Sequence, residues 1–283
     1  MIFSAELLSG DATRDPTIAT TIKIFRSIGL SSTWLVSDAK PRGSNCRYCV
    51  AIRPCAVLNA MLRLCPMCNL YSITSSQQAI RDLTRTLRDL TGNMPPLPGI
   101  FPDYQAPIAR NNQGTRELAM ARWGMPSPVF ALKGRNSDGG ITNVRNVQSR
   151  HWQRWLDVEH RCVVPFTSFS ENEAQADGSR PPVWFAFSEE RPLAFFAGIW
   201  TPQWKSVRKI KEGETTNDLF AFLTTEPNKE VGAIHPKAMP VILTKPEEIE
   251  TWMTAPAEEA LKLQRPLPDG SLQIVARGQK KDG

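Results

Sequence analysis

Apolar and polar positions fall into two regimes that meet at Met67. Residues 1–66 hold no sustained period of 2 or 3.6, and their Arg, Ser and Cys are scattered without pattern. From Met67 the text organises. Ser75 and Gln78 read as a capping box, and Ile80, Leu83, Leu87 and Leu90 then share one helical face, which predicts a helix closed by Gly92. A proline-rich connector follows, with Pro95, Pro96, Pro98, Pro102 and Pro107. Alternating and apolar runs predict strands at Glu117–Trp123, Arg161–Phe166, Val183–Phe187, Leu193–Trp200, Leu219–Thr225 and Met239–Leu243. The third and fourth of these runs, Val183–Phe187 and Leu193–Trp200, are spaced as a hairpin. Short helices are predicted near Ser149–Leu156, Asn228–Gly232 and Pro246–Met253, the last capped by Thr244 and Glu247. The polar stretch Lys205–Asp218 reads as a mobile loop. The pattern predicts an α+β class: a single domain over 67–283 on a curved, mostly antiparallel β-sheet with short flanking helices.

Composition narrows the function classes. Hydrophobic residues at 41% and charged residues at 22% of 283 permit a packed core and exclude global disorder. No stretch approaches the roughly 18 apolar residues of a membrane helix, and the first residues lack a secretory pattern, so a cytoplasmic protein is expected. The net charge of +6 divides into +4 over 1–66 and +2 over 67–283, so charge alone does not announce a nucleic-acid binder. Six cysteines, Cys46, Cys49, Cys55, Cys65, Cys68 and Cys162, would stay reduced in the cytosol. Cys162 lies in an apolar run and reads as core.

Several short motifs occur in order: Met67-Cys68-Asn69, Arg122-Trp123-Gly124-Met125-Pro126, Ile141-Thr142-Asn143-Val144-Arg145-Asn146, Cys162-Val-Val-Pro165 leading to Ser168-Phe169-Ser170-Glu171, and Ala233-Ile234-His235-Pro236-Lys237-Ala238-Met239-Pro240-Val241-Ile242-Leu243. Their order and spacing over 67–283 resemble the SOS response-associated peptidase (SRAP) family. The resemblance implies a catalytic set of Cys68, Asn143, Glu171 and His235. It implies binding of single-stranded DNA, a thiazolidine formed with the aldehyde of an abasic site, and removal of the protein's own initiator Met. It calls for no cofactor and no metal, and a monomer is expected that gathers on damaged nucleoid DNA. Arg145 is assigned to a phosphate and Trp123 to base stacking, with Met125 and Pro126 extending an apolar wedge. Lys237 stands where the family usually has Arg, so a phosphate contact survives without the planar fork. Asn69 replaces the commoner Gly, and Asn172 replaces an aromatic.

The chemistry has its own logic. A terminal cysteine carries an amine and a thiol on one residue; the amine condenses with an aldehyde and the thiol closes a five-membered ring. A carboxylate and an imidazole move the protons. A mid-chain cysteine has no free amine, so the expectation is that Met67 is the true start, or that the chain is cleaved after it, and that residues 1–66 are an extension. Three alternatives stand beside this one. Cys46-x2-Cys49 and Cys65-x2-Cys68 have a four-cysteine zinc spacing, which would make Cys68 a ligand in a binding protein. A noncovalent single-strand binding module is another, and a thiol peptidase acting on other proteins is the third.

Overall fold

The computed structural model describes residues 69–282 in full and the backbone of residues 22–26 and 33–37. The chain divides into two compact units, Met1–Leu64 and Cys65–Gly283. In the first, β1 (Ile22–Arg26) pairs antiparallel with β2 (Thr33–Ser37). These two runs are short and rich in Ile, Trp, Leu and Val, a strand signal that the scattered context of 1–66 hides.

The second unit has two sheets and six short helices among its described residues. One sheet has five strands, ordered β16 (Gln273–Arg277), β11 (Pro182–Ala186), β10 (Ser168–Asn172), β3 (Leu70–Ile73) and β5 (Leu97–Ile100), all antiparallel. The other contains β13 (Glu214–Thr225), β12 (Ala194–Val207), β9 (Arg161–Phe166), β6 (Gln105–Asn112) and β7 (Thr115–Trp123). Here β7 also pairs parallel with β13, Leu219 opposite Arg122 and Phe220 opposite Trp123, so these five strands close into a ring. Closure removes the edges of the ring and forces strong curvature. The α+β class and the curved, mostly antiparallel sheet are therefore present.

The two sheets meet through aromatic rings. Tyr71 and Phe169 of the five-stranded sheet stand edge-on to Phe196 at 5.8 and 6.0 Å, and Phe196 stacks on Phe166 at 3.9 Å. Tyr71 also meets Trp123 at 5.0 Å and Phe222 at 6.2 Å. All of these rings are fully buried. Such edge-to-face pairs add about 0.5–1.5 kcal/mol each beyond their buried area.

Several expected elements come out differently. Helix α1 runs only Gln77–Thr84, with Ser76 rather than Ser75 as its cap, accepting from the Ala79 amide at 3.2 Å. Arg85 turns left-handed (φ 51°) and ends it. The chain then pairs along β7 through β4 (Arg88–Asp89), which leaves Leu87 77% exposed and Leu90 on the surface instead of on a helix face. The 183–187 and 193–200 runs form no hairpin. Strand β11 already has β10 and β16 as neighbours, and β12 has β9 and β13, so neither has an edge for the other. Lys205–Asp218 is no loose loop either: β12 and β13 continue as a paired arm as far as Val207 opposite Glu214. Helix α5 (Pro246–Thr254) is capped by Glu248, not Glu247; its carboxylate accepts from the Thr244 amide at 2.9 Å. The proline-rich connector holds β5 and β6. Among the described residues no helix is long and apolar enough to cross a membrane.

The ring wall sets a sharp packing limit. A methyl on Gly198 would come 2.8 Å from Cys162 Sγ and 3.1 Å from the Ala221 carbonyl. Overpacking of this kind costs about 1–3 kcal/mol. Gly198→Ala should therefore lower the urea midpoint at an unchanged slope, and an unchanged midpoint would mean the wall is looser than this packing.

Candidate active site and nucleic-acid interface

Glu171 and His235 come from distant parts of the chain and meet in the interior. Glu171 lies on β10, opposite Val183 of β11, and the residue before it, Ser170, is opposite Leu70 of β3. Alternation along β10 puts Phe169 and Glu171 on the face that packs on the ring sheet. Glu171 is 2% exposed. Glu173, two residues on, is held by Arg277 at 2.6 Å in the half-buried margin, so the two acids have different surroundings.

His235 follows α4 (Lys229–Ile234). Asn228 caps that helix by accepting from the Val231 amide at 3.2 Å, and the His235 amide closes it on the Val231 carbonyl at 2.7 Å. The next residues lead into β14 (Met239–Pro240), which pairs with the end of β13. His235 is 4% exposed. Its Nδ1 lies 3.1 Å from the Ala238 carbonyl and 3.6 Å from Glu171 Oε2. A carbonyl only accepts, so Nδ1 carries the hydrogen, and in the neutral ring Nε2 holds the free lone pair. Nε2 is buried and meets no hydrogen-bond partner among the described residues. The pair thus offers a proton acceptor at Nε2 and a carboxylate beside the same ring, shielded from bulk water.

Asn143 sits on β8 (Asn143–Val144), opposite Phe222 of β13, and is buried. Its side-chain amide donates to Thr142 Oγ1 at 2.8 Å. The Thr142 carbonyl in turn accepts from Trp123 Nε1 at 3.1 Å. Tyr71 touches both Trp123 and Phe222, so one aromatic layer links β8 to the strand beside Glu171. Cys68 lies outside the described residues, as do Cys46, Cys49 and Cys65 of the zinc alternative. Among the described residues no cluster of His, Cys, Asp or Glu could hold a metal ion. Cys162 is buried against the ring wall, and burial raises its thiol pKa, which keeps it unreactive.

Arg145 and Lys237 are both exposed. Arg145 is held at its carbonyl by Gln264 Nε2 at 2.8 Å, and its guanidinium reaches Glu226 at 3.3 Å. Trp123, Met125 and Pro126 are different: all three are buried. Trp123 stacks on Phe222 at 5.2 Å and has no exposed face to offer a base. The wedge expected at 123–126 is therefore core. The exposed apolar residues lie just beyond, at Val129 (85%) and Phe130 (83%) on α2 (Val129–Leu132). Sequence reasoning passed over them because two exposed residues between Pro128 and a glycine have no periodicity to mark them.

That tip stands on a braced base. Met125 and Ile141 form a β-bridge, and Asp138 accepts from the Ser127 amide at 2.9 Å, the Ser127 hydroxyl at 2.6 Å and the Gly140 amide at 2.8 Å. Burial pushes the Asp138 carboxyl up, but the bonds from Ser127 and Gly140 outweigh it and hold it below the ordinary carboxylate range. Arg208, buried at the arm of β12, donates to the carbonyls of Gly124 and Asp138. Gly140 has a positive φ of 76°, and a Cβ there would meet Arg208 Nη1 and Gly124. At this position only glycine fits.

The family model described as SOS response associated peptidase (SRAP) matches residues 67–278. A solved structure of a protein from Bordetella bronchiseptica is similar with a TM-score of 0.56 and 21% identity, covering 75% of this chain and 100% of that chain. A protein from Bacteroides thetaiotaomicron follows with 0.54 and 20% identity, over 73% of this chain and 90% of that chain. A phage-related protein from Bordetella bronchiseptica has 0.53 and 19%, over 73% and 92%. At these identities the likeness is one of fold. No curated protein matches the chain.

The site geometry makes a tautomer prediction. Neutral His235 should carry its hydrogen on Nδ1, read as a pyrrole-type 15N shift at Nδ1 and a pyridine-type shift at Nε2. The reverse assignment would break the Ala238 bond and remove Nε2 as an acceptor.

Proposed function

The chain belongs to the SOS response associated peptidase (SRAP) family, which makes it a DNA-damage-associated, peptidase-like protein, and from that premise we propose that it traps abasic sites in single-stranded DNA through Cys68. The observation that carries the proposal is the buried Glu171–His235 pair beside the start of β3. Leu70 is opposite Ser170, the neighbour of Glu171. Cys68 stands two positions before Leu70 in the sequence, which supports the reading.

With Cys68 as first residue, its amine adds to the aldehyde carbon of the ring-opened abasic sugar, and water leaves to give an imine. The thiol sulfur then adds to the same carbon while its proton passes to the nitrogen, closing a thiazolidine. His235 helps open the sugar by taking the anomeric hydroxyl proton at Nε2 and returning it to the ring oxygen, and Glu171 carries protons at the amine and thiol. Asn143 holds the terminus or sugar by hydrogen bonds. This requires hydrolysis or absence of the peptide bond before Cys68, which is the peptidase-like part of the activity.

DNA contact falls to the exposed groups. Arg145 and Lys237 meet phosphates, and Val129 and Phe130 meet unstacked bases. Support comes from their exposure, from the bracing of the tip by Asp138 and Arg208, and from the Gln264 bond that orients the Arg145 backbone.

The test uses protein with Cys68 first and abasic single-stranded DNA. An adduct that survives denaturant is expected. Cys68→Ala should give only a borohydride-trappable imine. His235→Ala and Glu171→Ala should slow adduct formation by about 10²–10⁴-fold, as loss of acid–base groups does. Phe130→Ala and Arg145→Ala should weaken binding, and only Arg145→Ala should flatten its salt dependence. A stable adduct with Cys68→Ala, or parent rates with both pocket variants, would overturn the reading; salt-sensitive binding with no adduct would favour a noncovalent module.

A further inference from the structure

Residues 278–282 run on from β16 across the five-stranded sheet, on the face turned away from the aromatic junction. Most of this stretch lies beyond the matched residues 67–278. The passage is close: Trp184 Nε1 donates to the Gln279 carbonyl at 2.7 Å, and a Cβ on Gly99 would lie 2.9 Å from the Lys280 carbonyl. It brings Asp282 into the interior, 5% exposed.

Asp282 uses all of its polar groups. Its amide donates to the Pro98 carbonyl at 2.8 Å, which ties it to β5. Its carbonyl accepts from Ser72 Oγ at 2.6 Å, and its carboxylate accepts from Ser168 Oγ at 2.5 Å. Arg191 grips the same carboxylate with Nε and Nη2, each at 2.8 Å. Ser72 and Ser168 are directly opposite residues of β3 and β10. One residue therefore bridges the last cross-strand pair of those strands, at the end of the ladder away from Leu70. Buried charge-assisted bonds of this kind are among the stronger ones in a protein.

We infer that Asp282 is a positioning residue, a staple that holds β3 in register against β10 so that Leu70 stays opposite Ser170, the neighbour of Glu171; this rests on the reading of Cys68 given above. Strand β3 is four residues long and meets β10 over three pairs. Short pairings fray easily, and a strand that has to deliver a reacting residue cannot afford to fray at its first position. Asp282 touches none of the reacting groups. It acts two residues into the strand, through Ser72.

The experiment compares the parent with Asp282→Ala and Asp282→Asn by two readouts. The first is hydrogen exchange of residues 70–73 in the full chain. The second is the adduct rate at saturating abasic DNA, in protein with Cys68 first, alongside affinity for undamaged single strands. For Asp282→Ala, exchange in β3 should rise about tenfold or more, as for a locally opened element. The adduct rate should fall about 10–100-fold, since a misplacement of about 1 Å costs on the order of 10²-fold, with DNA affinity unchanged. Both variants keep the main-chain bonds to Pro98 and Ser72; Asp282→Asn also keeps one side-chain acceptor and should fall between Asp282→Ala and the parent. If Asp282→Ala does not fold, Ser72→Ala with Ser168→Ala removes the staple and leaves the Arg191 pair. Unchanged exchange in β3 overturns the inference whatever the adduct does. Raised exchange with a parent adduct rate overturns it too, because the staple then has no bearing on the reaction. A parent that forms no adduct brings down the Cys68 reading and this inference with it.

Discussion

Strand β3 carries more of this structure than its length suggests. It lies between β10 and β5 and buries Tyr71 where the two sheets meet, against Trp123, Phe196 and Phe222. Its register with β10 fixes which residue of the chain arrives beside Glu171. A slip of one residue would turn Tyr71 out of the aromatic junction and Ser72 into it. The loss of Tyr71 packing alone makes such a slip expensive, since aromatic side chains dominate core energetics. Fold and site are therefore set by the same pairing.

The Glu171–His235 pair depends on that frame. A buried carboxylate beside an imidazole is tolerable only where hydrogen bonds and geometry are fixed, because burial penalises charge without partners. Here β10 holds one member, and the C-cap of a short helix holds the other, with Ala238 setting the tautomer. The exposed tip at Val129 and Phe130 is the opposite case: apolar groups in water, steadied from beneath by Asp138, Arg208 and two glycines. Preorganised apolar groups on a rigid base lose little entropy when they meet a ligand.

Much of the ring sheet was legible from apolar runs alone. Arg161–Phe166 is found with the bounds that its run predicts; the Leu193–Trp200 run, from Ala194 on, and Leu219–Thr225 are the buried portions of longer strands. The polar halves of β12 and β13 were hidden because an exposed two-stranded arm needs no apolar alternation. Leu87 and Leu90 misled in the other direction: they continue the helical period of Ile80 and Leu83, but the left-handed Arg85 and the pairing along β7 win over the period. Strands β5 and β6 were concealed by prolines. At the site, Glu171 came only from motif order, since neither composition nor period separates it from Glu173, whereas His235 also stands out by its place between a short helix and the apolar run 239–243. Burial separates them at once. Trp123 was misjudged for a similar reason, since a tryptophan next to a glycine reads alike in a core and on a surface. The C-terminal bridge of Asp282 across β3 and β10 left no sequence signal, because it joins residues more than a hundred positions apart.

In the proposed reaction the amine and the thiol of Cys68 end on the same carbon of the damaged sugar. Peptide mapping of the adduct after nuclease digestion tests this directly, with separate labels for free amines and free thiols. The expected result is a sugar-derived mass on the peptide beginning at Cys68, with neither label incorporated there. A mass on a lysine-bearing peptide, or a Cys68 peptide that still takes the thiol label, would contradict it.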